Sequence, residues 1–536
     1  MRILAHLTVL LTLVGGPGEL LAQGREAPNA ETGTIRGRII AGDTGKPLRR
    51  ARVLVRPTKS DGYMRPTQAN TNSRGEFVVD GLAEGSYYVI GTRAGYINLE
   101  YGQRRPLERG LAVAVRAGQG TERIDIALPR AGVLEGRITD ETGEPYPGVR
   151  VEALSLRYRN GRKETSIASL STTDDRGQFR ITGLQPGGYH LVATSSETWR
   201  NEKNEVLGFP STYYPGSAAG QAQVITLGPS EQRADLHIAL QSERAARISG
   251  RVLRESGEPV PAAGVTIAYS YPGSIMTAGM RSVRTAADGS FTIKDVPGGV
   301  YSVMSGGDDA ILTVNGVDID DVTLTHRTGS TVTGTIVTDE GTPPPFPVSG
   351  VRVMIDTSSD KVLPAVRVVQ AGNDWSFKMQ GLGGPFLFRL TGLPDDWMLA
   401  SGTLNGQDIT DEPFDVPTGG KEITGVKLVV TRKVARVNGT VLDANGRPTS
   451  AASVLVFADD ATNWIPHSRF VRATRPAADG RFTVTHLPPG TYRAVALEFI
   501  EQGQEEDAAF LMELRDAATL FTLVDGGIQT LTLERR

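Results

Sequence analysis

Cysteine is absent from the 536 residues, and histidine occurs only 6 times. The first absence excludes a disulfide scaffold, thiolate metal ligation, a cysteine nucleophile and a lipid-modified N-terminal cysteine. Charge of one sign is also lacking: 57 Lys+Arg stand against 60 Asp+Glu, for a formal net charge of −3. Nucleic acid demands a basic face, so no nucleic-acid partner is expected. No apolar run approaches the roughly 20 residues of a membrane-spanning helix, so no membrane span is expected in the mature chain. What the chain has in excess is turn formers, 63 Gly and 31 Pro. That amount points to many short elements joined by turns and stays below a low-complexity level.

The N-terminus has the three parts of an export signal. Arg2 supplies a positive start, Ile3 to Val14 form a mostly apolar run, and Gly15-Gly16-Pro17 break it. Small residues follow at Ala22 and Gly24, where cleavage is expected. Residues 1–22 are therefore assigned as a signal peptide, and the protein is expected in the periplasm, at the cell surface or outside the cell. An exported chain without cysteine suits a bacterial source.

The remainder is one unit written five times. Its first anchor is a glycine inside a β-branched run, as in Ile35-Arg36-Gly37-Arg38-Ile39. The glycine returns at Gly136, Gly250, Gly334 and Gly439, each with apolar residues two before and two after. That is the period of a strand with one buried face, on which the glycine leaves room for a neighbour or a bulge. A Gly-x-Pro turn follows, from Gly45-Lys46-Pro47 to Gly446-Arg447-Pro448, and then a second strand such as Val149-Arg150-Val151. The third anchor is a turn ahead of Phe77, Phe179, Phe291, Phe377 and Phe482. An aliphatic residue comes five positions after each phenylalanine, and Tyr87, Tyr189, Tyr301 and Tyr492 follow in four of the copies. These tyrosines read as core or tyrosine-corner residues. In the fourth copy Leu387 holds that position. An alternating strand closes each unit, as at Leu236, Ile238 and Leu240.

Such strands at this spacing predict an all-β chain of five tandem Ig-like antiparallel β-sandwich domains. Their expected bounds are 33–130, 131–243, 244–328, 329–431 and 432–536, with a short helix near 505–518 in the last. The helix expectation rests on acidic Glu505-Glu506-Asp507 ahead of Phe510, Leu511 and Leu514 at helical spacing. The linkers are short, which suggests a semi-rigid string of beads.

Together the glycine strand, Gly-x-Pro, the Val strand and Asp-(x)-Gly-x-Phe with its Gly-x-Tyr continuation resemble the carboxypeptidase regulatory-like domain. Tyr213-Tyr214-Pro215-Gly216 and Gly392-Leu393-Pro394-Asp395-Asp396-Trp397 resemble elements of secreted bacterial multi-repeat proteins of this family. The resemblance implies a transthyretin-like sandwich and a module that accompanies catalytic domains without being catalytic itself.

Chemistry-bearing patterns are scarce, and no catalytic residue, cofactor or metal site is assigned. None of the histidines is followed by Glu at His-x-x-Glu spacing, so a zinc peptidase site is not expected. No Gly-x-Ser-x-Gly elbow occurs. Asp318-Ile319-Asp320-Asp321 offers oxygen ligands but lacks the glycine and distal glutamate of a calcium loop, and reads as a solvated turn. Aromatic residues in the variable stretches remain: Tyr96, Tyr101, Tyr158, Trp199, Tyr213, Tyr214, Trp397 and Trp464. Trp199, Tyr213 and Tyr214 are the candidates for stacking on a sugar ring, against the alternative of packing beneath loops. The expected function is that of a non-catalytic structural, adhesive or protein-interaction module with a cell-envelope protein or polysaccharide as partner. The alternative is a carbohydrate-binding protein.

Overall fold

A computed structural model describes residues 32–58, 66–216, 218–271, 277–357 and 367–536. The expected signal peptide lies outside the described residues. Strands dominate throughout, and each repeat builds two facing layers.

The glycine-bearing strands are Gly33–Ala41, Gly132–Thr139, Ala246–Arg254, Ser330–Thr338 and Ala435–Leu442. Each pairs antiparallel with the phenylalanine strand on one side. On its other side it pairs parallel with the closing strand of its repeat. The sandwich is thus mainly antiparallel, with its parallel ladders where the closing segment meets the glycine strand. There the chain has crossed the whole unit before returning beside its own start.

Register explains the spacing of the anchors. Gly37, Gly136, Gly250, Gly334 and Gly439 lie directly opposite Phe77, Phe179, Phe291, Phe377 and Phe482. The closing strand also presses on the glycine. A Cβ on Gly136 would sit 1.8 Å from the Leu236 carbonyl oxygen and 2.8 Å from the Phe179 ring. At Gly250 the same carbonyl contact, from Val322, would be 1.9 Å. The glycine is required because ring and backbone occupy the place of a side chain. A second pairing does not show in the sequence pattern. The aliphatic residue after each phenylalanine lies opposite a small residue: Gly33, Gly132, Ala246, Ser330 or Ala435.

The second layer centres on an antiparallel pair, such as Arg150–Arg159 with Gly187–Thr194. Its tyrosines close a corner as expected. The hydroxyls of Tyr87, Tyr189, Tyr301 and Tyr492 donate to the carbonyl oxygens of Ala83, Gln185, Pro297 and Pro488 at 2.6–2.9 Å. In the fourth repeat the register is one residue shorter than the sequence spacing implies, and Phe386 rather than Leu387 takes the corner position, without a hydroxyl. Trp375 takes positive φ (64°) where the other repeats place glycine, and its buried ring meets Phe346 edge-on at 5.2 Å.

Five buried clusters lie between the layers, each drawn from one repeat. The fifth repeat carries a sixth cluster outside its sandwich. Strand Ser453–Ala458 is buried at every position, because its run Val454-Leu455-Val456-Phe457 is apolar on both faces. Helix Ala508–Leu514 covers the outer face, with Leu511 wholly buried and Asp507 capping its N-terminus through the Ala509 amide (2.9 Å). This is the helix expected near 505–518.

The repeats do not form an open string of beads. The fifth repeat folds back on the first, where the Gln502 amide donates to the Leu107 carbonyl (3.0 Å) and Arg109 pairs with Glu505 (2.7 Å). The Asn160-Gly161 hairpin tip of the second repeat also reaches it. A Cβ on Gly161 would lie 2.1 Å from the Glu506 carbonyl oxygen.

Candidate functional site

The junctions between repeats hold the cavities, so the candidate sites are built where two sandwiches meet. Between the second and third repeats a short sheet joins Thr198–Arg200, Val206–Gly208 and Glu243–Arg244. Beside it lies a cavity of about 510 Å³ lined by Tyr213, Tyr269, Tyr271, Pro210 and Glu243.

The structure separates the three stacking candidates. Tyr213 lines this cavity and packs with Leu154, Val192 and Tyr271, leaving it 7% exposed. Burial, then the charge of Glu152, raises its phenol to about 12. Trp199 is half-buried against Phe209, with ring centroids 4.9 Å apart. Tyr214 is half-buried against the core of the second repeat and precedes a cis peptide to Pro215. Trp199 and Tyr214 do not line the cavity. The other variable-stretch aromatics also pack. Trp397 is buried against Phe346, and the Trp464 indole N–H donates to the Ala458 carbonyl at 2.8 Å.

Beneath Tyr213 sits Glu152, with no exposure, which neither composition nor spacing singled out. Arg150 Nε donates to it at 2.5 Å, and the Tyr271 hydroxyl donates from the next repeat. Burial, then the nearby Glu152 carboxylate, pushes the Tyr271 phenol up. A buried carboxylate with two donors is satisfied and holds the two repeats together.

A second cavity, of about 500 Å³, lies between the fourth and fifth repeats, with Thr58 of the first at its rim. Arg389, Arg469 and Arg472 line it. Arg469 forks onto Asp411 at 2.8 and 2.6 Å and also donates to the Leu399 carbonyl at 2.6 Å. Arg389 stands in the otherwise apolar run Phe386-Leu387-Phe388-Arg389-Leu390, a signal in the sequence that the repeat pattern does not bring out.

The acids that stand out in the sequence have ordinary partners. Asp318 pairs with Arg244 (2.9 Å) and Arg247 (3.5 Å), and Asp320 pairs with Arg247 (3.1 Å). The segment read as a solvated turn is thus an arginine-paired one. His237 is exposed and lies 3.1 Å from the Thr139 hydroxyl. Among the described residues no three His, Cys, Asp or Glu side chains gather as a metal site, and no helix is long and apolar enough to cross a membrane.

Solved structures similar to this chain include a streptococcal ancillary pilin. It shares 12% identity and a TM-score of 0.20, over 55% of this chain and 99% of that one. GBS52, the minor pilin of Streptococcus agalactiae, shares 19% identity with a TM-score of 0.21, over 39% and 95%. BcpA, the major pilin subunit of Bacillus cereus, shares 10% with a TM-score of 0.15, over 55% and 99%. No curated protein matches the chain. The carboxypeptidase regulatory-like domain model matches residues 34–129, 133–241, 247–308 and 436–518, more than half of the chain, and the protein belongs to that family.

Proposed function

We propose that this protein is an exported, non-catalytic body that serves structure, adhesion or protein interaction at the cell envelope. In this reading five β-sandwich units, with bounds 33–130, 131–243, 244–328, 329–431 and 432–536, are docked into one body. The observation that carries it is the junctions. Glu108 and Arg475 of the first and fifth repeats pair with almost no exposure, and Glu152 and Tyr271 join the second and third. Buried polar contacts of this kind fix relative orientation more than they add stability. A fixed orientation suits a module that presents a surface or bears load. The test is binding of the purified chain to immobilised envelope proteins, peptidoglycan and exported polysaccharides. Saturable capture by one of them supports the reading, and hydrolysis of any of them by the chain alone counts against it.

A carbohydrate-binding role is the second reading, favoured by one observation. Tyr213, Tyr269 and Tyr271 line a single cavity of about 510 Å³, a size that accommodates a small ligand. Tyr213→Ala then abolishes glycan capture while Trp199→Ala, outside the cavity, preserves it. Equal loss in both variants, or no glycan capture by the native chain, removes this reading.

A further inference from the structure

The cavity between the fourth and fifth repeats has a wall of one chemical kind. Its lining includes Arg389, Arg469, Arg472 and His486, together with five threonines, and no aspartate or glutamate. The nearest carboxylate with a hydrogen bond to these arginines, Asp411, is committed to Arg469. Arg389 Nη2 is 3.7 Å from the same carboxylate, beyond hydrogen-bond reach. Arg472 donates to the Ser468 and Val471 carbonyls, and the carboxylate whose charge acts on it, Glu506, is not in the cavity lining.

Arg389 is the informative residue. Its side chain is nine-tenths buried, yet Nε and Nη2 have no hydrogen-bond partner among the described residues. The neighbouring Thr391 hydroxyl, on the same wall, has none either. Burial pulls the Arg389 guanidinium down to about 10, with the charges of Arg469 and Arg472 acting in the same direction and Asp411 and Asp356 against it. Buried donors without acceptors are costly and rare in folded proteins. Three guanidiniums meet this open volume, while the carboxylates that act on them, Asp411, Asp356 and Glu506, lie outside its lining. A guanidinium is the side chain best shaped for a planar or tetrahedral oxyanion.

We propose that this cavity binds a hydroxylated oxyanion, a sugar bearing a carboxylate or phosphate group. Arg389 and Arg472 hold the charged group, and the threonine hydroxyls meet the sugar hydroxyls. At about 500 Å³ the space fits one or two sugar rings. Because the wall is shared by repeats, the ligand also ties the fourth repeat to the fifth. The proposal stands apart from the adhesive role above, since the cavity would hold its ligand whatever the outer surface attaches to.

Isothermal titration of the purified chain tests it, with glucuronate, glucose 6-phosphate and glucose as probes. Saturable binding of an anionic sugar, with Kd at or below about 1 mM, is expected, and glucose should not bind. The stronger of the two anionic probes identifies the charged group. Arg389→Gln should weaken binding at least tenfold, equivalent to about 1.4 kcal/mol. Arg36→Gln, an exposed residue paired with Glu122 in the first repeat, should leave it unchanged. Should Arg389→Gln fail to fold, Arg472→Gln and Thr485→Val are read in the same titration. Absence of saturation with both anionic sugars, equal binding of glucose, or full affinity in the folded cavity variants overturns the proposal.

Discussion

Glu108 and Arg475 form an ion pair of 3.5 Å between the first and fifth repeats, with side chains 0% and 3% exposed. Each has further partners, and two of those of Arg475 lie in the first repeat. Glu108 also accepts from the Arg104 amide and guanidinium, and Arg475 donates to the carbonyls of Gly102 (2.5 Å), Arg109 (3.1 Å) and Ser450 (3.3 Å). Removing one partner of such a pair strands the other charge without water.

Glu108→Gln should therefore lower stability by about 3–5 kcal/mol and loosen the closure of the first repeat on the fifth. The absence of cysteine makes the second effect measurable. Spin labels at Arg105→Cys and Glu498→Cys, an exposed pair across the same junction, should report one short distance in the native background. Adding Glu108→Gln should broaden that distance and lengthen it. An unchanged narrow distribution would show that the pair does not hold the closure.

The repeated glycines make a sharper case. A Cβ at Gly136 meets a backbone carbonyl at 1.8 Å, and backbone cannot rotate away as a side chain can. Gly136→Ala should cost about 1–3 kcal/mol or more by overpacking. Gly264→Ala is the matched control, because its Cβ meets nothing within 4 Å and its φ is ordinary. Denaturant titration of both variants checks this, and equal stability of the two would remove the packing argument.

The tyrosine corners should have a uniform, smaller effect. The Tyr189 hydroxyl donates to the Gln185 carbonyl at 2.6 Å from a ring that is 1% exposed. Tyr189→Phe keeps the ring and removes the bond, at about 0.5–1.5 kcal/mol. The fourth repeat has no such hydroxyl to lose, because register places Phe386 rather than Leu387 there, opposite Thr357 as Tyr87 lies opposite Pro57. Thermal unfolding of Tyr189→Phe, read beside Tyr492→Phe, measures the effect in two independent cores.

What could be read from the sequence divides along a physical line. Gly136, Phe179, Leu184 and Tyr189 were legible because each answers to contacts inside one sandwich, and those contacts recur in five repeats, or four for the tyrosine. The repetition turns a weak local preference into a pattern. Arg389, Arg472, Glu152 and the Glu108–Arg475 pair were not legible, because each belongs to a junction that occurs once. Junction residues come from distant segments and share no spacing. The same logic explains Tyr213. Its turn left stacking and packing both open, and the neighbouring repeat supplied Tyr271 to cover it. Short linkers pointed to a string of beads, yet linker length limits local freedom and says nothing about docking of the first repeat on the fifth.

Acid should act first at the turns. Asp443 Oδ1 accepts from the Asn445 and Arg447 amides at 2.8 and 2.9 Å, and the Arg447 N–H is the main cause that holds its carboxyl below the usual 3.8. Asp140 does the same in the second repeat, lowered chiefly by the Thr142 hydroxyl. A depressed folded-state carboxyl contributes stability that is present above its unfolded value and disappears as pH falls through the folded one. Stability should therefore decline on acidification below the ordinary aspartate range, over about pH 5 to pH 1. The double variant Asp140→Asn, Asp443→Asn keeps an acceptor in each turn and removes the titration. Asn72 already shows the geometry, accepting from the Arg74 and Glu76 amides at 2.8 and 3.0 Å. The variant should have a flatter acid limb in thermal unfolding and a native-like spectrum at neutral pH. An acid limb identical to that of the native chain would assign the loss to other carboxylates.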